Sequence, residues 1–103
     1  MHVNFKKMGW ISPSPGVRFK SFIRNGRQLR FVEFNEQFRE PDWCEKGHIG
    51  YILEGILEID FNGKKQTYEH GDGLFILKGD AEKHKARAIG GRVRLILVEE
   101  IDD

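Results

Sequence analysis

From Val17 onward the chain alternates between apolar and polar positions. Val17, Phe19, Ser21 and Ile23 fall on one face, and Arg18, Lys20, Phe22 and Arg24 on the other. That period of two is the mark of a half-buried strand. Asn25-Gly26 supplies the positive φ angles of a tight hairpin turn, and Gln28 to Asn35 returns as a second strand rich in Phe and Val. Glu40-Pro41 interrupts the ladder, because proline has no N–H to donate. A short strand around Asp42 to Cys44 is expected next, then a turn at Lys46-Gly47 and a strand from His48 to Leu53. Glu54-Gly55 turns into Ile56 to Phe61, Asn62-Gly63 makes a second hairpin, and Lys64 to Tyr68 pairs back. After a loop at His70 to Gly73, short strands are expected over Leu74 to Leu77, around His84 to Ala88, and over Val93 to Val98.

The pattern amounts to about nine or ten short strands with a turn signal every 8–12 residues and no helix, which predicts an all-β barrel or sandwich. Residues 1–16 differ: Ser12-Pro13-Ser14-Pro15-Gly16 is turn chemistry, so an irregular N-terminal arm is expected ahead of a barrel over 17–103. The strand His48 to Leu53 is apolar on both faces, with Ile49, Tyr51 and Leu53 on one and Gly50 and Ile52 on the other. One face belongs to the core. The second needs cover from the arm or from another chain, so a homodimer is expected.

Composition narrows the function classes. A chain of 103 residues makes one domain and buries roughly 65% of the surface of its unfolded form. A net charge of +1, with no basic run, gives no footprint for nucleic acid. No apolar run approaches the ~20 residues of a membrane span. The N-terminus lacks the apolar stretch of a signal peptide, which favours the cytoplasm. The single cysteine, Cys44, forms no internal disulfide and fits a reducing compartment.

Strand parity singles out a group of chemically active side chains. His48 shares a face with Gly50 and Ile52, and His84 shares one with Ala86 and Ala88. Asp42 and Cys44 are two apart, so they point to the same side of their strand. On a continuous strand Asp42 and His48 would lie ~20 Å apart, so a turn at Lys46-Gly47 has to bring them together. One carboxylate, one thiolate and two imidazoles suit Zn²⁺ or another transition metal. Each residue also has a plainer reading: an interior histidine bonded to backbone, Cys44 as a small buried hydrophobe, Asp42 capping a turn, Trp43 packing.

The stretch Asp42 to Gly55, with Gly71 to His84, resembles the two signature motifs of the cupin superfamily, in particular its small single-domain, RmlC-like members. Counting back from Gly55, the first motif's glutamate position falls on His48, its two histidine positions on Asp42 and Cys44, and its leading glycine on Glu36. In the second motif Gly71 and Gly79 match, Leu77 stands at the proline, His84 comes two residues late, and Ala88 replaces the asparagine. The resemblance spans roughly residues 30 to 98. It implies a jelly-roll β-barrel holding one divalent metal through Asp42, Cys44, His48 and His84. The thiolate favours zinc over iron or nickel. It also implies a small polar metabolite as ligand and dioxygenase, isomerase or lyase chemistry. A ligand- or redox-sensing module without catalysis, and a metal-free barrel with a small-molecule pocket, are the competing expectations.

Overall fold

The computed structural model describes residues 1–101, so the last two residues of the expected 17–103 barrel segment lie outside the described residues. Seven strands follow in order: β1 (Ile11–Ser14), β2 (Val17–Arg24), β3 (Arg27–Phe34), β4 (His48–Phe61), β5 (Lys64–Glu69), β6 (Gly73–Ile76) and β7 (Lys85–Glu100). Single 3-10 turns occupy Phe5–Lys7 and Asp80–Glu82. All pairings are antiparallel, in the order β1-β2-β3-β7-β4-β5, with β6 also on β4. No helix among the described residues is long and apolar enough to cross a membrane.

The expected all-β jelly-roll architecture is present, with fewer and longer strands than the turn signals suggested. The segments His48 to Leu53 and Ile56 to Phe61 run together as the 14-residue β4, and the last two expected strands fuse into the 16-residue β7. The reason lies in glycine. Gly55 has φ +85°, and a β-carbon there would stand 2.2 Å from Arg92 O, so the chain bends inside β4 without leaving the ladder. Gly90 and Gly91, at φ +71° and +139°, bend β7 opposite this point, where the register between the strands shifts. Such bulges fold one sheet over on itself. The first half of β4 pairs with β6 and the second half with β5, so the two halves belong to different layers.

The layers close over Val17, Val32, Ile52, Leu57, Ile59, Leu74, Ile76, Val93, Leu95 and Leu97, all buried. The arm is more ordered than its proline content implied. Ile11–Ser14 forms an edge strand that tolerates Pro13, as edges do. Trp10 lies 5.5 Å from the Phe31 ring with Arg18 stacked 4.1 Å from its centre, which fastens the arm to the outside of β2 and β3.

Candidate metal centre

Inward-facing positions of the two layers leave a cavity of about 260 Å³. Its walls are mostly apolar, Phe19, Val32, Leu57 and Leu95 among them, and its polar lining comes from Arg30, Glu40, Cys44, Lys46, His48 and His84. His48 opens β4 and points inward by the parity it shares with Ile52, which is fully buried. Cys44 and His84 face each other across an isolated antiparallel bridge. The Cys44 N–H donates to His84 O at 2.8 Å, and the His84 N–H to Cys44 O at 2.9 Å. Gly79 N–H to Glu45 O, 2.8 Å, extends the same pairing. Gly47 then lets the chain enter β4 close to β6; a β-carbon there would meet Ile76 O and Lys78 N, each at 3.0 Å.

One donor atom each from Cys44, His48 and His84 lies within 4.8 Å of the others. Cys44 Sγ is 3.8 Å from His48 Nε2, and the two imidazole centres are 5.1 Å apart in an edge-on arrangement. Donors bound to one tetrahedral zinc lie roughly 3.3–3.7 Å from one another, given metal distances of 2.0–2.3 Å. The spacing therefore fits one ion after small side-chain adjustments, and thiolate with imidazole is a donor set that suits zinc. His84 Nδ1 lies 3.0 Å from Glu82 O. A carbonyl only accepts, so Nδ1 carries a proton, and Nε2 is the nitrogen that an incoming metal ion would take.

Asp42 does not join the group. It sits exposed in a bend after Pro41. Two residues share a side only in extended chain, and this segment is extended only at the Cys44 bridge, so the parity argument fails for Asp42. The neighbouring carboxylate, Glu40, lines the cavity instead, its Oε1 accepting the Ala86 N–H at 2.8 Å. Burial raises the Glu40 pKa. Trp43 packs under the Lys85 ammonium, 4.7 Å from its ring centre.

A second carboxylate was missed by the sequence reading. Glu99 is buried beneath His48, with Oε2 2.6 Å from His48 Nδ1. Arg30 holds it by two bonds of 2.6 and 2.7 Å, and Gln28 adds one of 3.0 Å. The signal was available: Glu99 continues the inward series Val93, Leu95, Leu97 on β7. The electrostatics follow from these contacts. His48 and then His84 hold the Cys44 thiol down to about 5, against burial that pushes it up. Burial pulls His48 down, but Cys44 and Glu99 outweigh it and hold the imidazole up at about 9. Burial likewise opposes ionisation of Glu99, yet His48 and Arg30 take it to about 2.

No protein-family model matches the sequence, and no curated protein matches it significantly. Solved structures do. KdgF from Halomonas sp. superimposes with a TM-score of 0.77 at 21% identity, over 95% of this chain and 92% of that one. The polyketide cyclase RemF from Streptomyces resistomycificus gives 0.80 at 21% identity, over 99% and 80%. A cupin-2 domain containing protein from Shewanella frigidimarina gives 0.66 at 22% identity, over 80% and 78%. With seven antiparallel strands wrapped around an inward-facing cluster of histidine and cysteine, the chain has the fold of a small cupin.

Proposed function

We propose that the protein binds one divalent metal ion, zinc ahead of iron or nickel, through Cys44, His48 and His84, and uses the adjoining cavity for a small polar metabolite. The convergence of the three donors within 4.8 Å, at a cavity of about 260 Å³, carries this reading. When bound, such an ion polarises a substrate oxygen or acidifies a coordinated water. The chain's own residues supply the rest. Apolar walls exclude water, and the Lys46 ammonium at the cavity lining favours an anionic group on the ligand. Glu40 has one oxygen engaged by Ala86 and a second without a hydrogen bond among the described residues. A carboxyl whose pKa burial has raised can hold or pass a proton there. This favours proton-transfer chemistry, of the isomerase or lyase kind, over oxygen chemistry.

Elemental analysis of protein purified without a histidine tag is expected to find zinc in near-equimolar amount. Calorimetric titration of stripped protein should reproduce binding, lose it in Cys44→Ser and His84→Gln, and leave it unchanged in Asp42→Ala. Absence of metal from the natural chain, together with no heat on titration, refutes the reading.

One observation favours a second reading, a metal-free redox or ligand sensor. Cys44 is ionised at neutral pH between two imidazoles, the state in which a thiol reacts with oxidants. Rapid sulfenic acid formation under dilute peroxide, undiminished by zinc, would select it.

The same proposal places a second copy of the chain on the outer sheet face. Phe22, Leu29, Val98, Ile49 and Phe75 form one row across β2, β3, β7, β4 and β6. Ile49, Tyr51 and Leu53 are about half exposed. A chain of net charge +1 brings little repulsion to such a self-association. A cytoplasmic setting, reducing enough to keep Cys44 unoxidised, completes the reading.

A further inference from the structure

The two carboxylates near the cluster differ in what holds them. Among the described residues Glu40 is fixed at one oxygen, whereas Glu99 is held at both. Arg30 forks onto Oε1 and Oε2, Gln28 adds to Oε1, and His48 Nδ1 stands against Oε2. The Glu99 side chain is 4% exposed and that of Arg30 20%, so this ion pair sits where water screens it little. A planar guanidinium with two bonds fixes both the position and the plane of the carboxylate.

His48 is a different case. Its ring is 11% exposed, and Nδ1 is fully buried. The 2.6 Å approach to Glu99 is short but bent away from a straight N–H···O line, so no aligned hydrogen bond reaches Nδ1 among the described residues. A buried ring nitrogen facing an immobile carboxylate carries its proton on that side. Nε2 is then the atom left to face Cys44, at 3.8 Å. His84 reaches the same result through a backbone carbonyl, Glu82 O.

We infer that Glu99, clamped by Arg30 and Gln28, is the positioning residue that makes His48 an Nε2 donor toward the Cys44–His84 pair. Part of the site's metal affinity therefore comes from Gln28 and Arg30 on β3 and Glu99 on β7, none of which is a ligand. The inference rests on the metal-binding reading proposed above. An outer carboxylate that orients a metal-bound histidine and raises its basicity typically contributes about 10- to 100-fold in affinity.

The test is zinc affinity by chelator competition in the natural chain, in Glu99→Gln and in Glu33→Gln. Glu33 is the control because Arg18 and Arg94 pair with it, at 3.0 and 2.9 Å, on the outer face of β3. Glu99→Gln should weaken zinc by about 10- to 100-fold, while Glu33→Gln leaves it unchanged. A second measurement needs no variant. Long-range ¹H–¹⁵N spectra of the zinc-loaded natural chain should show His48 protonated at Nδ1 and ligated at Nε2. Equal zinc affinity in Glu99→Gln and the natural chain, or His48 ligated through Nδ1, overturns the inference and leaves the metal site standing. Failure of the natural chain to bind zinc overturns the metal reading and the inference with it.

Discussion

At the scale of single residues, Cys44 offers the most direct measurement. Thiolate is the form that alkylates, so iodoacetamide labelling of metal-stripped protein should rise with a midpoint near 5. In His48→Asn the midpoint should move toward the ordinary thiol value of about 8.5. An unmoved midpoint would mean that His48 does not hold the thiolate. The His48–Glu99 pair predicts a bell-shaped contribution to stability. Glu99, depressed from 4.5 to about 2, contributes fully above 4.5 and loses that contribution as pH falls through 2. His48, raised from 6.5 to about 9, contributes fully below 6.5 and loses it as pH rises through 9. The gap in melting stability between the natural chain and Glu99→Gln should be widest from pH 4.5 to 6.5, on the order of 3 kcal/mol, should close as pH falls through 2, and should narrow as pH rises through 9, where Arg30 still pairs with Glu99. A gap that is flat with pH would assign the loss to packing. The histidines and the cysteine were legible from parity and motif spacing. Parity puts Glu99 on the inward face of β7, but its pairing with Arg30 was not legible, because it joins positions 69 apart. Asp42 misled because a two-residue spacing carries a direction only within extended chain.

At the scale of elements, the hairpins were legible because their chemistry is local. Asn25-Gly26 and Asn62-Gly63 adopt the left-handed conformations their sequences favour, with asparagine φ of 51° and 55°. The fusion of short segments into β4 and β7 was not legible. Glycine reads equally well as the end of a strand or as a bend within one, and only the facing strand decides. Gly55 carries that bend. Gly55→Ala would need a positive φ and would press its β-carbon against Arg92 O, so it should cost on the order of 2–3 kcal/mol. Gly9→Ala meets nothing within 4 Å and should stay within about 0.5 kcal/mol of the natural chain. Denaturant melts of the two variants check this, and equal stabilities would refute the role given to the bend.

At the scale of the whole molecule, the inward and outward faces of β4 and β7 are occupied by neighbours in sequence. His48 and Glu99 belong to the cluster, while Ile49 and Val98 belong to the exposed apolar row. Sedimentation is expected to show a dimer at micromolar concentration and a monomer in the double variant Tyr51→Glu, Phe75→Glu, whose positions are 50% and 68% exposed. A monomeric natural chain would refute the self-association. The backbone bridge between Cys44 and His84 has a consequence for the order of events in the life of the protein. Two of the three donors are spaced by paired main-chain bonds of 2.8 and 2.9 Å, and those bonds form when the sheet forms. On the metal-binding proposal, folding would therefore precede loading. In metal-dependent small domains the chain collapses only around its ion, whereas this one should keep its strand signature in circular dichroism after dialysis against a chelator. Its melting point should then climb with added zinc as mass action requires, and reloading should be fast because the donors already stand within reach of one another.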